Sequence, residues 1–160
     1  MQKQQKMITG VVGLPVRKDG KILLTRRWAP RKPAWHGKWQ LAGGGMEFGE
    51  TPEQTLAREF EEELQVSARI LFRWPIVKTK VWYGNHVDSK ADTHITLFCF
   101  LVDIGNQKID LSGDTETDKY DWFTFEEALR LDYLPLTDDF VKEAMEVIKE
   151  NGILQKLGKD

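Results

Sequence analysis

One cysteine in 160 residues leaves no partner for a disulfide within the chain, so the fold must hold without one. That residue, Cys99, lies in the apolar run Thr96-Leu97-Phe98-Cys99-Phe100-Leu101 with no activating base beside it, which predicts a buried thiol and not a nucleophile. Long hydrophobic runs are missing as well: none approaches the roughly 20 residues that cross a bilayer. The opening segment Met1-Gln2-Lys3-Gln4-Gln5-Lys6 is polar, unlike the apolar core of a signal peptide. The expected setting is therefore cytoplasmic, with no membrane partner. A basic excess is lacking too. With 23 Lys and Arg against 25 Asp and Glu, the net charge of -2 weighs against a nucleic acid polymer as partner. It leaves room for a small anionic ligand, for which only local charge matters. Linkers, repeats and low-complexity tracts are also absent. We expect a single domain over residues 1–160, long enough to bury a core, with residues 1–6 as a loose tail.

Strand signals fill the first third of the chain. Residues 7–16 are rich in Ile and Val, and Lys18-Asp19-Gly20-Lys21 reads as a hairpin turn into Ile22-Leu23-Leu24-Thr25. A basic, aromatic loop over 26–38 follows, kept irregular by Pro30 and Pro33. Trp39-Gln40-Leu41 is a short strand that runs into the loop Gly43-Gly44-Gly45. Further strands are expected over 66–83, interrupted near Pro75, and over 93–104, with a polar loop at 84–92 between them. An acidic loop over 110–121, a short strand 120–123, a short helix 125–131 and a terminal amphipathic helix from 137 to about 157 complete the order. Strands with interspersed helices imply a mixed sheet covered by helices, an α/β or α+β domain.

The chemistry is concentrated in one predicted helix. Thr51 can cap it, Pro52 suits its first turn and Gln54 can close a capping box. Leu56, Phe60 and Leu64 recur at i, i+4, i+8 and supply the apolar stripe. Glu59, Glu62 and Glu63, at i, i+3, i+4, share a neighbouring face, where Cβ atoms lie about 5–6 Å apart. Clustered carboxylates repel one another, and a hard cation such as Mg²⁺ or Mn²⁺ offsets that repulsion with the ligand chemistry they suit. Such acidic runs are more often plain solvated surface. The context upstream argues otherwise: consecutive glycines allow the backbone to approach a ligand closely. Glu50 sits where it can fix the loop, and Arg58 can pair with it.

Gly44, Glu50 and Arg58-Glu59-Phe60-Glu61-Glu62-Glu63-Leu64-Gln65-Val66 resemble the Nudix box, G-x5-E-x7-R-E-U-x-E-E-x-G-U, over 23 residues. Gln65 departs from it, standing where the box has glycine. Trp39-Gln40-Leu41-Ala42-Gly43-Gly44 resembles the family's lead-in, with Ala42 in place of proline. The resemblance implies an α/β/α sandwich in which a mixed sheet is flanked by helices. It implies that Glu59, Glu62 and Glu63 are catalytic and ligate Mg²⁺ or Mn²⁺, with Glu59 or a nearby acid as base. The Gly44 carbonyl adds a ligand, while Glu50 and Arg58 are structural supports. A further ligand is expected from a later loop: Glu116, six residues before Trp122, with Asp114 and Asp118 as rivals.

Weaker candidates for substrate contact are Arg26 and Arg27 at a strand end, Tyr83, and Thr137 after Leu134-Pro135-Leu136. Tyr83 stands 17 residues beyond Val66, a spacing similar to that of diadenosine polyphosphate hydrolases. The Leu134-Pro135-Leu136-Thr137 segment resembles one that approaches the base in MutT-like enzymes, with Thr137 where an amide is usual. Trp28, Trp35, Trp82 and Trp122 can stack a base, although aromatics are more often core; His36 and His94 read as structural or surface residues. The resemblance therefore implies hydrolysis of a phosphoanhydride bond in a small nucleotide, most simply a nucleoside triphosphate giving monophosphate and pyrophosphate. Dinucleoside polyphosphates, nucleotide sugars and a non-catalytic nucleotide sensor are the alternatives, the last opposed by the intact carboxylates. The family is often dimeric, and nothing in the sequence specifies an interface for a homodimer.

Overall fold

The structure, a computed structural model, describes residues 3–84 and 91–157. In chain order its elements are β1 (Gln4–Pro15), β2 (Ile22–Arg27), β3 (Trp39–Gln40), β4 (Ala42–Gly45), α1 (Pro52–Leu64), β5 (Arg69–Ile70), β6 (Ile76–Trp82), β7 (Ala91–Asp103), β8 (Thr117–Phe123), α2 (Phe125–Ala128), α3 (Thr137–Glu150) and α4 (Ile153–Lys156). The larger sheet runs β4-β1-β7-β5, with β6 also paired to β7; the smaller runs β3-β2-β8. Strands β1 and β7 pair in parallel, in register from Gln4↔Ala91 to Pro15↔Val102.

The period-two alternation of β1 sorts its side chains between two cores. Val12 and Leu14 join Ile22, Leu24, Cys99 and Leu101 against Phe140, Ala144 and Ile148 of α3. Val11 faces the other way, with Leu23, Phe100 and Val102 against Leu56, Phe60 and Leu64 of α1. The predicted stripes on both helices thus cover opposite faces, giving the expected α/β/α sandwich. Cys99 is fully buried, and burial pushes its thiol well above the ordinary range.

Several local expectations change. Gly20, at φ +82°, makes the turn with its N–H donating to the Arg17 carbonyl at 2.9 Å. Yet β1 and β2 separate after the single bridge Val16↔Ile22 and enter different sheets. Residues 4–6 are no loose tail: they pair with 91–93, because the long β7 offers a backbone ladder even where both faces are open. The triple glycine is strand β4, with Val12↔Gly43 and Val11↔Gly44 paired. A Cβ on Gly43 would lie 2.1 Å from the Val11 carbonyl oxygen, so glycine is required for this approach. The acidic loop gives way at Thr117 to β8, which pairs with β2. The terminal helix breaks at Gly152, where φ is +57°. The loop expected at 84–92 falls mostly on 85–90, outside the described residues, while Ala91 and Asp92 belong to β7.

Candidate active site

Helix α1 begins as its sequence dictates. Gln54 N donates to Thr51 Oγ1 at 3.2 Å and Thr51 N donates to Gln54 Oε1 at 2.9 Å, closing the capping box. It ends at Gln65 with φ 56° and ψ 41°, the left-handed conformation that glycine adopts without penalty. Between these ends, the buried Leu56, Phe60 and Leu64 seat the helix on β1 and β4. The carboxylate face is thereby turned toward the glycine strand.

Arg58 organises that face. Its Nε and Nη2 donate to the two oxygens of Glu50 at 2.8 and 2.9 Å, and Nη2 also reaches the Gly45 carbonyl at 3.0 Å. Glu50 accepts in addition from Glu47 N at 2.7 Å and from the Thr55 hydroxyl at 3.2 Å. This paired fork and the added donors hold the Glu50 carboxyl at about 2, well below the usual carboxylate range. Glu50 and Arg58, expected as supports, are thus bound to each other beside the carboxylate face. From the same guanidinium, Nη1 donates to Glu59 Oε1 at 2.9 Å and to Glu62 Oε2 at 3.3 Å. One cationic group thus already gathers two of the three candidate ligands.

Glu63 lies deeper. Gly43 N donates to its Oε2 at 3.1 Å, and among the described residues no Lys or Arg forms an ion pair with it. Burial first, then repulsion from Glu59 and Asp114, pushes its carboxyl up to about 8, against the Gly43 hydrogen bond and the more distant Arg27 charge. Burial likewise raises Glu59, partly offset by Arg58. The Glu59 carboxylate sits directly over Gly44: a Cβ there would meet Oε1 at 2.6 Å. Glycine at 44 is therefore a clearance for the carboxylate, beyond any freedom it gives the backbone. No three carboxylates converge on one point among the described residues, since Glu62 is 58% exposed and turned to Arg58. The donor set nevertheless fits a divalent cation: hard oxygens at i, i+3, i+4, one of them buried and lacking its counter-charge.

Beyond the carboxylates lies a cavity of about 350 Å³. Ile8 of β1, Ile95 and Leu97 of β7, and Leu134-Pro135-Leu136 before α3 form apolar walls. Trp35, Trp82 and Tyr83 add aromatic faces, and Arg27 lines it as well. Of the four weaker candidates, Tyr83 and Arg27 line this cavity, and Arg26 and Thr137 do not. Arg26 is held by Asp118 through bonds of 3.0 and 2.7 Å, because neighbouring residues on β2 fall on opposite sides of the strand. Thr137 is 5% exposed, packed in the first turn of α3, and the wall is made by the Leu136 before it. Trp28 stacks edge-on with His36, whose Nδ1 accepts from Ala29 N at 3.1 Å; both order the loop. His94 is bonded to the Thr79 hydroxyl, and Trp122 lies under the Arg17 guanidinium.

Among the later acids, Glu116 pairs with Arg27, with Nη1 to Oε2 at 2.9 Å, and is 63% exposed. Asp118 is taken by Arg26, and Asp114 exerts its charge on Glu63. Glu116 thus stands in an ion pair with a residue of the cavity wall. The sequence reading passed over Ile8, Ile95 and Leu97. Their signal was available as the alternation along β7, but the face it marks gains meaning only once β1 and β7 are in register.

The NUDIX domain model matches residues 7–144. Over 65 residues the chain is 45% identical to the CTP pyrophosphohydrolase of Escherichia coli K12, covering 41% of this chain and 46% of that protein. It thus spans less than half of that relative's length. It is 31% identical over 98 residues to the 8-oxo-dGTP diphosphatase of the same organism, covering 61% and 67% of the two chains. The solution structure of the E. coli ORF135 protein superposes with a TM-score of 0.68 at 27% identity, covering 92% of this chain and 94% of that one. With the box on α1, the sandwich around it and a family match across most of its length, this chain belongs to the NUDIX domain family, the family of the hydrolases it resembles.

Proposed function

We propose that the protein is a metal-dependent hydrolase that cuts a phosphoanhydride bond in a nucleoside or deoxynucleoside triphosphate, releasing monophosphate and pyrophosphate. The observation that carries this reading is the face of Glu59, Glu62 and Glu63 on α1, two of them bound by Arg58, in a fold that also holds a cavity lined by Arg27 and aromatic side chains. Mg²⁺ or Mn²⁺ bound by these carboxylates and the Gly44 carbonyl would neutralise phosphate oxygens and acidify the attacking water. Glu50 and Arg58 hold the ligand face in place, and the Gly43 N–H orients Glu63. Trp35, Trp82 and Tyr83 receive the base, while Arg27 meets the phosphate chain at the cavity's edge. A cavity of about 350 Å³ suits one nucleoside unit. The names of the relatives, a CTP pyrophosphohydrolase and an 8-oxo-dGTP diphosphatase, support the same reaction type.

The test is a Mg²⁺-dependent screen over nucleoside triphosphates, oxidised nucleotides, dinucleoside polyphosphates and nucleotide sugars, read as released phosphate or pyrophosphate. Pyrophosphate release from at least one triphosphate is expected. Tight nucleotide binding without turnover of any member would replace this reading with a sensor.

A further inference from the structure

Arg27 faces three environments at once. Its side chain lines the apolar cavity, its Nη1 pairs with Glu116 at 2.9 Å, and its charge acts on Glu63. The backbone fixes this meeting. A bulge in the β2–β8 ladder sets Arg27 opposite Thr117, and Trp28 N donates to the Glu116 carbonyl at 2.7 Å, so the two side chains leave adjacent anchors.

The two partners differ in what separation would cost them. Glu116 is 63% exposed and can rehydrate, whereas Arg27 is only 21% exposed. Its Nε is fully buried and, among the described residues, has no hydrogen-bond acceptor. The guanidinium also lines the cavity wall and meets Glu116 through a single contact at Nη1, so a phosphate in the cavity, which offers more than one oxygen, can compete for it.

Building on the proposed function, we infer that Arg27 and Glu116 form an exchangeable pair: an incoming polyphosphate takes Arg27 from Glu116 and thereby releases the Glu116 carboxylate to the metal-binding face of α1. Each residue masks the other in the resting protein. Arg27 is then a positioning residue for Glu116 as well as a phosphate contact. Occupancy of the cavity and completion of the carboxylate set become coupled events.

Two binary titrations test this without turnover. The first follows Mn²⁺ binding to nucleotide-free protein by electron paramagnetic resonance. The second follows binding of the α,β-imido analogues of dCTP and dGTP in EDTA by calorimetry. Both are run on the wild type, Arg27→Met, Glu116→Gln and the double variant. Arg27→Met should tighten Mn²⁺ about fivefold, and this gain should vanish when Glu116→Gln is also present. Glu116→Gln should tighten at least one analogue in EDTA about fivefold, and that gain should vanish with Arg27→Met.

A gain in Mn²⁺ affinity that persists in the Glu116→Gln background would overturn the exchange, since it would reflect loss of one positive charge only. Failure of Glu116→Gln to tighten either analogue, or of both analogues to bind the wild type, would overturn it as well. Should Arg27→Met not fold, Arg27→Lys, which keeps the charge and loses the fork, should still lower analogue affinity; unchanged affinity would count against the proposal. Glu62→Gln separates the two readings. If it weakens Mn²⁺ while Arg27 and Glu116 behave additively, the exchange falls and the proposed function stands. If it leaves Mn²⁺ binding unchanged, both fall.

Discussion

Helix α1 draws its working face from a short run of chain, with Glu50, Arg58, Glu59, Glu62 and Glu63 all within one turn-and-helix unit. The cavity beside it takes walls from β1, β2, the loop after β2, β6, β7 and the segment before α3. The first depends on local energetics: a capping box, a proline in the first turn, an apolar stripe and one arginine fork. The second exists only when β1 and β7 are in register and α3 has docked. On the proposed function, reaction class and substrate choice would be carried by parts of the molecule that differ in kind, and substitutions should separate them.

The largest effect is expected on the helix. Glu62→Gln should lower kcat at least about 100-fold with the fold intact, as should EDTA on the wild type, measured by pyrophosphate release. Next comes the cavity wall. Leu136 holds φ at +75°, a conformation that asparagine tolerates better than leucine, and its side chain lines the cavity. Leu136→Asn should shift the ratio of kcat/KM between two nucleobases about tenfold, with Mn²⁺ affinity unchanged. An equal loss for every base would weaken the separation between the two regions.

This contrast also explains what was legible in the sequence. The face of α1 was legible because Thr51, Pro52, Gln54 and the Leu56-Phe60-Leu64 stripe act within a few residues of the carboxylates. The sandwich was legible from strand order and the two helical stripes. The cavity was only partly so: Tyr83 and Arg27 line it, yet Thr137 is core and Leu136 makes the wall, a distinction set by the helix start. Arg26 and Arg27 look equivalent in sequence; the pleat and bulge of β2 send one to Asp118 and the other to the cavity. The early start of β1 and the strand at 117 were hidden because their residues are polar: 4–6 and 118–119 are exposed and held by ladder bonds, and Thr117 is a buried polar residue.

Stability gives two smaller tests. Burial raises the Glu63 carboxyl to about 8 from an ordinary 4.5, so its ionisation opposes folding as pH rises through that interval. In EDTA, Glu63→Gln should be more stable than the wild type at pH 8, by about 1 kcal/mol or more, with the gain fading toward pH 4.5. Glu50 has the opposite sign: its stabilising pair with Arg58 is present above the ordinary carboxylate range and is lost as pH falls toward about 2. Thermal denaturation across pH reads both. The smallest effect belongs to Gln65, a left-handed residue at the end of α1. Gln65→Gly should raise Tm by about 2–4 °C and leave kcat/KM within about twofold.

The most direct test of the division between chemistry and selection is steady-state kinetics of Glu63→Gln and Trp35→Ala on one triphosphate. The account predicts that Glu63→Gln lowers kcat at least about 100-fold with KM within about threefold, and that Trp35→Ala raises KM about tenfold or more at nearly constant kcat. Unchanged turnover in Glu63→Gln, or a fall in kcat without a change in KM for Trp35→Ala, would contradict it.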